Sequence, residues 1–394
     1  MLPQGPDMSA PRIMYYVQYL LGIGHVRRSS LIVQALCEQG AQVDVIFGGM
    51  PVPSMSFGHA TMHQLMAVKS ADSGFSGLAK ADGTPVSDDD KKQRTQALLA
   101  LCETLQPDLI VTETYPFGRR QMRFELLPLL DWAKSQDKPP VLVSSIRDIL
   151  QRRSTVREQE YVNLVKTYYQ HVLVHGDEDF YPLARSFPVA DMIADKISYS
   201  GYVCPTLVNQ PNSPKTRDTI VVSVGGGSIG KDILVAVMAL YNSGFAADKK
   251  WLLITGPNMD SADKTYFQAQ QQSNLQVVDL ADDFLSELSN AYVSISRAGY
   301  NTVMDLLLTG VPAVVIPFEG EGETEQLARS EVLAEAKVLQ FVKNDELSVD
   351  TLKTAINNAL NSTAETVNID NQGASQSAKL LIEWTVDKGA ETRH

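Results

Sequence analysis

The sequence predicts a two-domain α/β protein built on parallel sheets. Two observations carry this. Apolar runs of strand length alternate with helix-period runs along the chain, and 394 residues are too many for one ordinary core. RIMYYVQYL reads as the first strand, SSLIVQALCEQG as a helix closed by Gly40, and QVDVIFGG as the next strand. DLIVTET, PVLVSSI, HVLVHG, TIVVSVGG, KWLLITG, YVSIS and AVVIPF continue the series to about Phe318, too many for one small sheet. Residues 69–93 are polar, Gly-rich and charged, and are expected to form a mobile loop. CPTLVNQPNSPKTRD (204–218) carries three prolines and two asparagines before a strong strand, as an interdomain linker would. The expected division is therefore an N-terminal domain over 1–205, a linker over 206–218 and a C-terminal domain over 219–394. The tail SQSAKLLIEWTVDKG has helical spacing, and this last helix is free to pack back on the N-terminal domain.

Composition narrows the class. With 44% hydrophobic and 20% charged residues the chain reads as soluble and globular. Its formal net charge of -12 argues against sequence-independent nucleic-acid binding, which needs a basic surface. The same charge disfavours a polybasic membrane patch and leaves only a local peripheral contact open. Cys37, Cys102 and Cys204 have no zinc or disulfide spacing, which fits a reducing cytosol. MLPQGPDMSAP lacks the basic and apolar regions of a signal peptide, and no apolar run reaches the length of a membrane span. A cytoplasmic protein is expected, with no metal and no cofactor.

Three strand-to-helix junctions carry glycine, and each suits an anion, because glycine allows close approach and a helix mouth offers free N–H groups. The first is LGIGHVRRSS. It fails as a dinucleotide fingerprint: Arg27 stands where the third glycine belongs, and the second strand ends in Phe47-Gly48-Gly49 rather than an acid. His25 then sits at the carboxyl edge of a sheet, beside Gly24, where an imidazole can accept a proton from a sugar or water hydroxyl. A histidine tied to a neighbouring loop is the plainer alternative. Of Arg27 and Arg28, at least one is expected to be a solvated helix residue.

The second junction, SVGGGSIGKD, nearly matches a P-loop. Asp232 replaces the hydroxyl that would hold magnesium, so an NTPase is rejected in favour of a phosphate-facing glycine loop. The third is SISRAGYNTVMDLLLTGVPAVVIPFEGEGETEQLARSEVLAE. Here Arg297-Ala298-Gly299 turns into a helix on which Asn301 and Asp305 share a face. A phosphate at that mouth leaves Asp305 about one turn deeper, near a ribose whose diol a carboxylate can accept. A solvated acid is the alternative for Asp305, and a flexible acidic loop for Glu319–Glu325.

Residues 291–336 resemble the donor-binding half of GT-B glycosyltransferases of the family 28 type. The resemblance rests on Ser-Arg-x-Gly, an acid eight residues after the Arg, Gly-x-Pro, a strand ending in Pro-Phe, then Glu-Gln. The Gly-x-Gly-His turn and the second glycine loop are similar too. The whole chain is closest in appearance to predicted glycosyltransferases with a Gly-x-Gly-His-x-Arg-Arg start. The resemblance implies a GT-B fold: two Rossmann-like domains whose parallel sheets face each other across an interdomain cleft. It implies a nucleotide-sugar, with UDP favoured, as substrate rather than cofactor. By matching position, Asp305 would bind ribose. Gly299, Asn301 and Thr302 would lie at the phosphates, with Gly226, Gly227 and Ser228 opposite, and Arg297 would also belong to the donor-binding set. Leu280 and Ala281 would meet the base, and Glu325 and Gln326 the sugar. Asp305 stands where the family's peptidoglycan enzyme has Glu, and the shorter N-terminal glycine run puts a lipid acceptor in doubt.

The acceptor falls to the N-terminal half. TETYPFGRRQMRFE carries Arg119, Arg120 and Arg123, a cluster suited to a phosphate or carboxylate, or else a helix face balanced by Glu125. Glu113 ends the preceding strand and is a second candidate base. Arg147, His175 and Asp177 also stand at strand ends, as acceptor contacts or loop-fixing residues. The resulting expectation is a metal-independent, inverting transfer of sugar to an acceptor hydroxyl, with His25 or Glu113 taking the proton. A nucleotide-sugar hydrolase, an epimerase of the same fold and a non-catalytic nucleotide-sugar sensor are the rivals.

Overall fold

The computed structural model describes residues 10–20, 24–53, 55–71, 77–205, 217–226, 229–320, 324–362 and 370–391, with side chains of the last helix to residue 386. The chain divides into two compact units, one running to Val203 and taking in the C-terminal helix, the other beginning at Cys204. The expected linker at 206–218 lies almost wholly outside the described residues.

In the first unit, β1 (Arg12–Val17), α1 (Gly24–Glu38), β2 (Gln42–Phe47) and β3 (Thr61–Gln64) are followed by a short antiparallel pair, β4 (Val68–Ser70) and β5 (Leu78–Lys80). Then come α2 (Asp88–Leu105), β6 (Leu109–Glu113), α3 (Arg123–Ser135), β7 (Val141–Arg147), α4 (Thr155–Tyr168), β8 (His171–His175) and β9 (Ile197–Tyr199). Strand order is β3-β2-β1-β6-β7-β8-β9, with every pairing parallel. Beyond the small hairpin this is the doubly wound order, which reverses between β1 and β6.

The expected loop at 69–93 is thus corrected: its first half carries the hairpin strands, and its acids start α2. Ser87 caps that helix, with Asp90 returning a bond to the cap backbone. The acids cluster there because a helix N-terminus favours negative charge, not because the segment is unstructured.

In the second unit, β10 (Thr219–Ser223), α5 (Lys231–Asn242), β11 (Lys250–Ile254), α6 (Ser261–Gln268), β12 (Leu275–Val278) and α7 (Phe284–Asn290) precede β13 (Ala291–Arg297). Next are α8 (Tyr300–Thr309), β14 (Ala313–Ile316), α9 (Glu325–Glu335), β15 (Gln340–Phe341) and α10 (Val349–Asn361). Its parallel sheet runs β12-β11-β10-β13-β14-β15 and reverses between β10 and β13. Last, α11 (Gly373–Glu391) rejoins the first unit.

Each sheet is apolar on both faces because helices cover both. On β1, Ile13, Tyr15 and Val17 join the core under α1 and α11, while Met14 and Tyr16 join the opposite core under α2 and α3. This is the two-residue period of a strand. Ala378 and Leu381 bring α11 into the first of these cores, and Trp384 stacks on His171 with ring centroids 3.9 Å apart.

A buried ion pair locks the other face. Arg94 of α2 donates to Glu125 of α3 at 2.6 and 3.0 Å, to Gln18 Oε1 at 2.7 Å and to the Gly48 carbonyl at 3.0 Å. It also donates to the Met66 carbonyl, and Tyr16 donates its hydroxyl to Glu125. A Cβ at Gly48 would lie 2.1 Å from Gln18 Oε1, so only glycine fits beside this network.

Candidate functional site

Both sheet reversals end in a glycine-bearing turn, the place where an open α/β sheet leaves a crevice for a ligand. In the first unit, His25 enters from the first turn of α1 and Glu113 from the last residue of β6. His25 Nδ1 lies 2.6 Å from Glu113 Oε1. Arg28, one turn along α1, donates to the same oxygen at 2.5 Å, and Thr114 donates its hydroxyl there at 2.6 Å. Arg119 Nη2 approaches Glu113 Oε2 at 3.7 Å. Glu113 is fully buried, and its Oε2 accepts no hydrogen bond.

The backbone around this cluster is held in unusual conformations. Thr114 (φ 67°) and Arg119 (φ 58°) both adopt the left-handed region, which side-chain-bearing residues seldom enter. The Gly118 N–H donates to the Thr114 carbonyl at 3.0 Å and closes the turn. A Cβ at Gly118 would come within 2.6 Å of Thr114 Cγ2.

Electrostatics set the protonation states. Burial pulls the His25 imidazole down to about 3; Glu113 opposes this, and Arg119 and Arg147 reinforce it. Burial alone would raise the Glu113 carboxyl, but His25, Arg28 and Arg119 outweigh it and hold the group below the usual carboxylate range. At neutral pH the pair is a neutral imidazole bonded to a carboxylate. That carboxylate selects the tautomer with the proton on Nδ1 and leaves Nε2 as the basic nitrogen.

The second unit presents a different mouth. Gly225 (φ 67°) and Gly226 follow β10, and Gly230 (φ 151°) opens α5, where a Cβ would come within 2.5 Å of Val224. Gly227 and Ser228 lie outside the described residues. Gly299 stands at the N-terminus of α8, with Asn301 and Thr302 half-buried in its first turn. Asp305 is buried, at 1% exposure, so the solvated acid is ruled out. In the loop after β12, Leu280 is 63% exposed and Ala281 is half-buried.

Three expected donor residues have partners within the protein. Arg297 grips Asp232 with both oxygens at 2.7 and 2.9 Å and donates to Asn344 Oδ1 at 2.7 Å. The guanidinium neutralises the acid that spoils the P-loop pattern. Glu325 pairs with Arg329 at 3.0 Å on the same helix, and Gln326 accepts from the Phe318 N–H at 3.0 Å. These contacts tie α9 to Phe318 and give both residues partners within the protein.

Residues 221–383 match the glycosyltransferase family 28 C-terminal domain. The second unit is thus similar to a family 28 glycosyltransferase domain, and the chain has the GT-B fold. A UDP-N-acetylglucosamine--N-acetylmuramyl-(pentapeptide) pyrophosphoryl-undecaprenol N-acetylglucosamine transferase of Sulfurihydrogenibium sp. is 27% identical over 160 residues, covering 41% of this chain and 42% of that protein. The chain thus spans about two-fifths of the length of that relative. An uncharacterized glycosyltransferase of Methanosarcina acetivorans is 22% identical over 273 residues, 66% of this chain and 67% of its own. Among solved structures, the MurG of Acinetobacter baumannii superposes with a TM-score of 0.59 at 15% identity, over 95% of this chain and all (100%) of that one. The glycotransferase of kitacinnamycin does so with 0.60 at 14% identity, over 98% and 99%. These two likenesses show the fold, with its two Rossmann-like halves.

His25 and Glu113 appeared in the sequence as alternative bases, and the structure makes them one hydrogen-bonded pair. Arg28 was not chosen as a site residue, although its spacing from His25 places both on one helix face; it is 1% exposed. No local pattern signals Thr114. The expected balance of the arginine cluster by Glu125 is overturned, since Glu125 belongs to Arg94 and Arg123 pairs with Glu160 instead. Arg119 and Arg147 act electrostatically on His25, while Arg120 is exposed. His175 is buried between Ser145 Oγ at 2.7 Å and Ser200 Oγ at 3.0 Å, and Asp177 accepts from the Asp370 N–H at 3.3 Å. Both fix loops.

Proposed function

We propose that the protein transfers a sugar from a nucleotide-diphosphate donor, with UDP as the nucleotide, to an acceptor hydroxyl, with inversion and without a metal. The observation that carries this reading is the His25–Glu113 pair at the carboxyl edge of the first sheet. His25 Nε2 removes the hydroxyl proton, and the freed oxygen forms a bond to the anomeric carbon on the face opposite the departing diphosphate. The glycosidic C–O bond to phosphate breaks, and its electron pair leaves with the nucleotide. Glu113 holds the imidazole in the correct tautomer and partly balances the imidazolium that forms.

The donor belongs to the second unit. Backbone amides at Gly226 and at the mouths of α5 and α8, together with Asn301 and Thr302, stabilise the charge gained by the diphosphate. Asp305 is the ribose partner, Leu280 and Ala281 flank the base, and Gly24 of α1 faces the reacting groups. The matched family domain and the named relatives support this reading, because transferase activity and a UDP-N-acetylglucosamine donor stand in the relative's own name. A cytoplasmic setting with peripheral membrane contact fits the same likeness.

A panel of UDP-, GDP- and dTDP-sugars, incubated with the protein in EDTA, tests the proposal. Thermal stabilisation by UDP-sugars without breakdown is the expected outcome. Rapid release of free sugar would assign hydrolysis instead, a changed sugar still joined to UDP would assign epimerisation, and no shift with any nucleotide would overturn the donor site.

A further inference from the structure

Arg28 already matches the charge of Glu113, at 2.5 Å, and this leaves Arg119 short of a counter-ion. The Arg119 side chain is only 11% exposed, and its nearest carboxylate oxygen lies 3.7 Å away, beyond hydrogen-bond distance. Its Nε is buried without a hydrogen-bond partner, as is Glu113 Oε2 beside it. A buried guanidinium without hydrogen bonds is costly, and here the backbone is also turned into the left-handed region to place it. Arg147, at the end of the adjacent strand β7, adds positive potential at the same spot. The chain as a whole is acidic, so this concentration of cations is local.

We infer that Arg119, with Arg147 beside it, receives an anionic oxygen group, phosphate or carboxylate, carried by the acceptor next to the hydroxyl that His25 deprotonates. The inference rests on the transferase reading and adds the substrate class: an anionic acceptor. A guanidinium fork suits such a group because two parallel N–H bonds match two oxygens. The acceptor is the source because the arginines surround the base that handles the acceptor, while the donor phosphates are assigned to the glycine mouths of the second unit.

The test follows the His25 imidazole by NMR, its resonance assigned with His25→Gln, during titration with inorganic phosphate or with acetate at constant ionic strength. The groups facing that imidazole are Glu113, Thr114, Arg28, Arg119 and Arg147. A bound anion raises the His25 pKa, so a saturable rise is expected in the wild type. Arg119→Gln should weaken binding at least tenfold, and Arg119→Lys, which keeps the charge but loses the fork, should fall between. Larger response to phosphate than to acetate assigns a phosphate-bearing acceptor, and the reverse a carboxylate. UDP-sugar binding, read by thermal shift, should change less than twofold in both variants. No response of His25, or equal phosphate affinity in wild type and Arg119→Gln, overturns the inference. So does a parallel loss of UDP-sugar binding, which would give Arg119 to the donor. Failure of every nucleotide to bind the wild type would sink the transferase reading alone, because the phosphate titration does not depend on it.

Discussion

The two units share a strand order and differ in how they treat charge at the sheet reversal. At the mouth of the first sheet a buried carboxylate, a neutral imidazole and arginines converge on one point. At the mouth of the second, Arg297 and Arg329 are each committed to an acid, Asp232 and Glu325, and glycines with positive φ, Gly225 and Gly230, shape the turn. Two copies of one topology thus supply different chemistry. Side-chain bases with strong local fields suit proton removal, and neutral amide-lined turns suit a diphosphate that must bind and leave.

The comparison breaks most decisively at His25. His25→Ala is expected to lower turnover roughly 10²–10⁴-fold while UDP-sugar affinity stays within about twofold, since binding falls to the other unit. Full turnover in that variant would end the division of labour.

Arg94→Met probes the same unit away from the site. It leaves Glu125 buried without its partner and should cost about 3–5 kcal/mol by urea unfolding. Replacing both residues with apolar ones should recover much of the loss, and an equal loss in the double variant would show that packing, not uncompensated charge, is at stake.

Acidification should act on the first unit too. His25 is held below its unfolded value, so the unfolded chain binds more protons than the folded one as pH falls from about 6.5. Stability contributed by the neutral imidazole is therefore complete above about pH 6.5 and declines below it, by up to about 1.4 kcal/mol per pH unit. Glu113, also held low, acts in the same direction at more acid pH. Melting temperatures across this range should show a shallower decline in His25→Gln, and an unchanged slope would mean the imidazole is charged in the folded state. The acid limb of the kcat/KM profile should likewise lie below pH 6.5.

The smallest effect sharpens the second unit. Asp305→Asn keeps shape and removes a charge-assisted acceptor, and should weaken UDP-sugar binding about tenfold, or about 1.4 kcal/mol. Unchanged affinity would make Asp305 a structural acid of α8.

By itself the sequence determined the parallel α/β class, nine of whose strands were legible as apolar runs, because strands buried on both faces carry mostly apolar residues. It also marked the three glycine turns, whose backbone needs are local. Strands such as Thr61–Gln64 and Gln340–Phe341 escaped it, since edge strands are short and partly polar. The return of α11 to the first unit was only permitted by the sequence, and its packing decided it. The pairing of charges distant in sequence was decided by tertiary structure alone. His25 and Glu113 lie 88 positions apart, and Arg297 and Asp232 lie 65 apart. Charge partners attract through space rather than along the chain, so only the folded sheet reveals that Arg297 is neutralised and that Arg119 is not.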